Sequence, residues 1–354
     1  MKVVFLWSET GSYLHSQAKS IYKFSGQNVS IVNWDKRGSA STLFKNFEEE
    51  GVTYLPRSSF SNSSLLDFLL KESPDIIVVS GWMDLGYLLV CRKYKKKSKV
   101  KVLAAIDDNW HGTFRQYIGR YVYRLFMDRK IFDYMWVAGS AQLYYATKFG
   151  LSFNKIIPNC LSASDSFYID QVKLMKRFVF VGRFLKRKGI ITLIKAHKML
   201  DYRKRKEWPL VLIGDTGIGG ISQYKDDVLK EADEFIIFTG SLQPAELVQE
   251  LKKGGVGCVP STKEPFGLVV HEFCKMGMPI ILSSEVGATS EFLISGYNGY
   301  NFESENIESL HNSLMKIINL TESELLEFCE HSHLLSNRIS SEISASVLLS
   351  IISN

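Results

Sequence analysis

The sequence predicts an α/β protein with two doubly wound parallel sheets. Short apolar runs alternate with amphipathic stretches along the whole chain. The runs show little polar alternation, as strands buried on both faces do. The alternation stops at IPNCLSASDSFYID, residues 157–170, and then starts again. Strand–helix alternation of this kind gives parallel sheets covered by helices. A chain of 354 residues is too long for one ordinary core and right for about two.

In the first half the expected strands are Val3–Trp7, Val29–Asn33, Val52–Leu55, Asp75–Ser80, Val100–Ile106 and Tyr134–Ala138. Helical patterns such as Ser63–Glu72 and Gly86–Lys95 lie between them. Pro, Asn and three Ser make 157–170 read as a linker. Beyond it the expected strands are Arg177–Val181, Leu210–Ile213, Phe235–Phe238, Val256–Val259 and Ile280–Ser283. The expected domains are thus 1–163 and 164–333. The Ser- and Ile-rich tail, 334–354, has helical spacing and is expected to pack back on the first domain. Ligands of open α/β sheets bind beyond the carboxyl ends of the strands. Two such halves facing each other would make a cleft, and the loops just after strands are where chemistry is expected.

Composition narrows the class. Hydrophobic residues make up 45% and charged residues 23%, so both halves can bury a core. The net charge of +6 is too small to imply nucleic acid. Cys91, Cys160, Cys258, Cys274 and Cys329 form no CxxC pair and suit a reducing cytosol better than a disulfide scaffold. No metal-ligand cluster is visible. The opening MKVVFLWSET has an apolar run too short for a signal peptide. No apolar run is long enough to span a bilayer. A cytoplasmic protein is expected. RKYKKKSKVK, residues 92–101, holds seven basic residues in ten. It is either a solvated helix end or a contact with an anionic membrane surface, the latter giving peripheral attachment at the inner face.

Three loops after strands in the second half carry the chemistry. In FVFVGRFLKRKG, 178–189, a strand ends at Gly182, Arg183 follows, and Lys188-Gly189 opens a helix. A guanidinium fork, an ammonium and free helix N–H groups together suit a diphosphate; a solvated basic turn is the plain alternative. VLIGDTGIGG, 211–220, lacks the spacing of either GxGxxG or GxxxxGK[ST]. It fits a loop, Gly214 included, where backbone passes close to a ligand. GCVPSTKEPFGLVVHEFCKMGMP, 257–279, is the most informative. Glu264 sits in the loop at a strand's carboxyl end, Gly267 leads into a short helix, and Glu272 lies in its second turn. One segment can thus present a carboxylate to sugar hydroxyls, the Gly267 and Leu268 amides to a phosphate, and a second carboxylate to a ribose diol.

EPFGLVVHE, 264–272, resembles the E-x7-E signature of retaining glycosyltransferases of the GT-B fold, family 4. VGRFLKRKG resembles that family's VGR…KG loop; IGD at 213–215, FTGSL at 238–242, EVGATSE with Gly287 and Glu291, and YNGYNF at 297–302 follow in order. The resemblance covers about residues 155–305. It implies two Rossmann-like domains that close on their substrates, transfer with retention at the anomeric carbon, a nucleotide-diphosphate sugar as donor, and no cofactor or metal. It implies that Arg183 and Lys188, beside Gly182, hold the diphosphate. Glu264 would place the donor sugar, with Phe266, Gly267 and Leu268 supplying backbone contacts. Glu272 would bind the ribose, and FTGSL, with Ser241 and Leu242, would line the base. As the diphosphate departs, Arg183, Lys188 and a helix N-terminus could stabilise the charge that forms.

In the first half, KVLAAIDDNWHGTFRQY, 101–117, places Asp107 where the family often has His, with Asp108 next and His111 four residues on. Asp107 and His111 are the catalytic candidates of this half. Gly11 in WSETGSY could approach the donor phosphate or the acceptor, and Gly81-Trp82 could line the acceptor side. The expected function is sugar transfer from a nucleotide donor to a saccharide or lipid-linked acceptor, in bacterial cell-surface polysaccharide synthesis. The alternatives are a GT-B-like epimerase or phosphorylase, or a non-catalytic sugar-nucleotide-binding protein.

Overall fold

The computed structural model describes all residues except 36–47, 50, 129, 216–222 and 353–354. The chain divides into two compact units, Met1–Asp165 with Ile339–Asn354, and Ser166–Arg338.

In the first unit the strands are β1 (Val3–Trp7), β2 (Val29–Asn33), β3 (Glu48–Glu49), β4 (Val52–Pro56), β5 (Ile76–Val79), β6 (Lys101–Ile106), β7 (Tyr134–Val137) and β8 (Ile156–Ile157). Its helices are α1 (Ser12–Ser25), α2 (Asn62–Glu72), α3 (Leu85–Lys95), α4 (Phe114–Val122) and α5 (Ser140–Lys148). The sheet order is β3-β4-β2-β1-β5-β6-β7-β8, parallel throughout except β3 against β4. β1 and β5 are fully buried, as the unbroken apolar runs require.

In the second unit the strands are β9 (Phe178–Val181), β10 (Leu210–Ile213), β11 (Ile236–Gly240), β12 (Val256–Val259), β13 (Ile280–Ser283) and β14 (Gly299–Phe302). Its helices are α6 (Ile190–Lys198), α7 (Tyr202–Glu207), α8 (Gln223–Glu231), α9 (Pro244–Leu251), α10 (Leu268–Lys275), α11 (Thr289–Phe292), α12 (Ile307–Ile318) and α13 (Glu322–Ser336). All six strands are parallel, in the order β11-β10-β9-β12-β13-β14. β9 is therefore flanked by β10 and β12, which sets the loops after those three strands side by side.

The last helix, α14 (Ser341–Ser350), is part of the first unit. It lies on α1, where Ser20 Oγ and Ser341 Oγ hydrogen bond at 3.0 Å and Lys23 meets Glu342 at 2.7 Å. No described helix is long and apolar enough to cross a membrane.

Two kinds of helix start stand out. Ser61, Asp84, Thr113, Asn306 and Thr321 cap α2, α3, α4, α12 and α13 with side-chain acceptors. α1, α6 and α10 instead begin at Gly11, Gly189 and Gly267, with no side-chain cap. Each of these three follows a strand, and each keeps first-turn N–H groups available to something other than its own side chains.

Candidate functional site

In the second unit the loops after β9 and β12 are locked together. Gly189 has φ +66°, and a Cβ there would come within 2.0 Å of the Pro260 carbonyl oxygen. Thr262 N donates to Arg187 O at 2.8 Å, and the Arg187 guanidinium donates to Lys263 O at 3.3 Å. The loop after β10 joins them. Gly182 N donates to Ile213 O at 3.0 Å, and a Cβ on Gly214 would meet Gly182 O at 2.1 Å. Gly214 N in turn donates to Gly240 O at 2.8 Å, bringing in the loop of Ser241 and Leu242. Ser241 is exposed and Leu242 half-buried at that rim. The glycines Gly217, Gly219 and Gly220 lie outside the described residues.

At the joint, Lys188 Nζ meets Glu264 Oε2 in an ion pair whose side chains are only 14% and 11% exposed. Ser261 Oγ donates to the same carboxylate oxygen at 3.0 Å. Ser283 Oγ holds the Ser261 carbonyl, so the support reaches β13. Glu264 N donates to Glu285 O at 3.2 Å, and Gly287 N returns to Glu264 O at 3.0 Å. Ala288 N donates to Phe266 O at 2.8 Å. Neither the Lys188–Glu264 pair nor the role of Ser261 was legible in the sequence. The only signal for Ser261 is a hydroxyl three residues before Glu264 in a post-strand loop.

Phe266 contributes its backbone, since its ring is buried and packs edge-on to Phe292. Among the described residues the N–H groups of Gly267 and Leu268 have no acceptor. They stand at the uncapped start of α10 and form a place for an anion. Arg183 is exposed and makes no ion pair among the described residues. The Glu272 carboxyl, half-buried on α10, has no ion-pair or hydrogen-bond partner there either. Burial alone pushes its carboxyl up to about 7. His271 beside it faces the core, bonded to Ser336 O at 2.9 Å and stacked on Phe292, and burial holds it down at about 3. The helix thus turns His271 inward for structure and leaves the Glu272 carboxyl without a partner among the described residues.

In the first unit the carboxyl ends of β1, β5 and β6 open on a cavity of about 630 Å³. Gly11, Gly81, Trp82, Asp107 and Asp108 line it. Glu9, Thr10 and Tyr13 line it too. Thr10 is 2% exposed, and its hydroxyl has no partner among the described residues. Tyr13 receives a hydrogen bond from the Trp7 indole at 3.1 Å. Among the described residues no Lys, Arg or His lines the cavity, whereas three carboxylates do.

His111 is placed outside these walls. Its N–H is taken by Gln116 Oε1 at 2.8 Å, and Gln116 Nε2 donates to Asn109 O at 2.6 Å. This clamp at the start of α4 turns the loop away from the strand end and leaves the imidazole exposed. Of the two catalytic candidates of this half, only Asp107 reaches the cavity.

Residues 171–329 match the family described as Glycosyl transferases group 1. An uncharacterized glycosyltransferase of Methanocaldococcus jannaschii is 31% identical over 141 residues, 40% of this chain and 38% of that protein. An uncharacterized protein from the cps region of Klebsiella pneumoniae is 27% identical over 206 residues, 53% of this chain and 52% of that one. The chain therefore spans about half or less of these relatives. Among solved structures, Anabaena HepE in complex with UDP superposes with a TM-score of 0.76 at 16% identity, covering 100% of both chains. At that identity the likeness establishes the fold, which is GT-B, with two Rossmann-like parallel-sheet domains. The half of the chain that carries Arg183, Lys188, Glu264 and Glu272 is the half that is similar to the group 1 glycosyl transferases.

Proposed function

We propose that the protein transfers a sugar from a nucleoside-diphosphate sugar to a hydroxyl of a saccharide or lipid-linked acceptor. We further propose that transfer retains the anomeric configuration, needs no metal, and serves the assembly of a bacterial surface polysaccharide. The observation that carries the reading is the arrangement around Glu264. A neutralised carboxylate, the amides at the start of α10, a guanidinium and a second carboxyl, the last three without partners among the described residues, come from neighbouring segments after the strands of one sheet. The family match over the same residues, the UDP-bound neighbour and the relative from a cps region support it.

In this reading Arg183 and the Gly267 and Leu268 amides take the diphosphate, where charge develops. Glu272 accepts from the ribose diol, and Glu264 accepts sugar hydroxyls through Oε1, its Oε2 being held by Lys188 and Ser261. A carboxylate so engaged serves as a positioning acceptor rather than a nucleophile. The bond from the acceptor oxygen to the anomeric carbon forms as the bond from that carbon to the diphosphate oxygen breaks. The electron pair leaves with the diphosphate, and the hydroxyl proton ends on a phosphate oxygen. The first unit's cavity, with its indoles and carboxylates, suits a neutral or amino-bearing sugar as acceptor, since phosphate would meet Glu9, Asp107 and Asp108.

The test is a panel of nucleoside diphosphates and their sugars, screened by thermal shift and followed by transfer assays with and without chelator. Stabilisation by at least one nucleoside diphosphate and chelator-resistant transfer are expected. No stabilisation by any of them would refute the reading.

A further inference from the structure

α4 and the π-helical turn that continues it, Tyr123–Met127, carry an exposed apolar stripe on the first unit. Phe114, Tyr117, Ile118, Tyr121, Leu125 and Phe126 are between 47% and 80% exposed. They recur every three or four residues and so share one helix face. The opposite face carries Tyr123, which is buried against Trp82 and Phe149, and Gln116, which fastens the helix start. The helix is thus anchored with its apolar side outward. A contiguous exposed patch of this kind marks a docking surface.

The charges on the stripe name its partner. Between Phe114 and Met127 there are three arginines, Arg115, Arg120 and Arg124, and no acidic residue. Lys130 folds back on the end of the stripe, donating to Leu125 O at 2.6 Å with its ammonium 6.0 Å from the Phe126 ring centre. Asp128, the first acid beyond it, is met by Lys155 at 3.8 Å. An apolar face whose own segment carries arginines and no acid complements an anionic bilayer. Aromatic and aliphatic side chains enter the boundary between headgroups and acyl chains while arginines meet the phosphates.

We propose that the Phe114–Met127 face is the seat on which this protein lies on an anionic lipid bilayer. This relocates the membrane contact from the run 92–101. There Lys95 is already committed to Asp133 at 2.7 Å and to Ile131 O at 3.4 Å. The proposal goes beyond the transfer reading and stands without it.

The experiment is sedimentation of the full chain with vesicles of phosphatidylglycerol and phosphatidylcholine, against phosphatidylcholine alone. Binding to the mixed vesicles is expected, weakened about tenfold or more by the pair Leu125→Glu and Phe126→Glu. Reversal of Lys96 and Lys97 to Glu should weaken it far less. Both stripe residues are more than half exposed, so the thermal midpoint and nucleotide-induced stabilisation should be unchanged. Should that pair fail to fold, Arg120→Glu with Arg124→Glu tests the same face. Three results would overturn the proposal: no binding to mixed vesicles, binding unaltered by the stripe variants, or a solution dimer that those variants dissociate.

Discussion

Lys188 reaches from the loop after β9 to the carboxylate of Glu264 in the loop after β12, seventy-six residues away in sequence. The two charges cancel in a largely buried place. Removing one partner leaves the other uncompensated, which is costly, whereas removing both is not. Lys188→Ala is therefore expected to lose roughly 3 kcal/mol of stability. The double variant Lys188→Ala with Glu264→Ala should recover much of that without recovering turnover. Denaturant melts beside transfer rates check this, and an additive double variant would show that the pair is not coupled.

Glu272 makes a prediction about pH. Its carboxyl titrates near 7 in the folded protein, above its ordinary 4.5. Between those values the folded state holds more protons than the unfolded chain, so stability falls as pH rises through that window and levels off above it. Glu272→Gln should remove this decline, gaining on the native protein from pH 5 to pH 7. Parallel melting curves across the window would contradict it. Glu272→Ala should weaken nucleoside diphosphate binding about tenfold or more, the usual loss of a charged hydrogen bond.

The parallel strands were legible because strands buried on both faces must be nearly continuous apolar runs. The short edge strands were not. β3 and β8 have two residues each, and β14 lies in YNGYNF, whose Gly and Asn disfavour strands. The charges of the site were legible by type and by their place after strands. Their pairing was not, because it depends on β9 lying between β10 and β12, and strand order leaves no trace in periodicity. The exposed stripe on α4 was not legible either, because no pattern says whether an apolar stripe faces a core or water.

Arg183 offers the converse of Lys188. It is exposed and unpaired among the described residues, so the fold does not depend on it. Arg183→Ala should leave stability within about 0.5 kcal/mol. It should weaken binding of nucleoside diphosphate about ten- to a hundredfold while leaving nucleoside binding alone. Calorimetric titration with both ligands separates the two, and equal losses for both would remove Arg183 from the diphosphate.

Gly189 tests whether the two loops must touch. Its left-handed backbone disfavours any side chain, and a Cβ would run into the Pro260 carbonyl oxygen. Gly189→Ala should cost at least about 2 kcal/mol and part Lys188 from Glu264. Turnover should fall with stability, even well below the melting temperature. A stable and fully active variant would mean that the joint is looser than its geometry.

Asp107 and His111 make the last contrast, because sequence position treats them alike and the structure does not. Asp107 lines the first unit's cavity, while His111 stands outside it behind the Gln116 clamp. If the acceptor sugar enters that cavity, its hydroxyls meet Asp107. Asp107→Asn should lower kcat/KM for the acceptor about tenfold, with donor binding unchanged. His111→Ala should stay within about twofold of the native enzyme. Among the described residues the same cavity carries the carboxylates Glu9, Asp107 and Asp108, which would disfavour an anion. Asp107→Asn with Asp108→Asn should therefore raise the relative use of phosphate-bearing acceptors, read as nucleoside diphosphate released per acceptor. An equal loss in His111→Ala and Asp107→Asn would place the acceptor elsewhere. An unchanged preference in the double variant would mean that the carboxylates do not select it.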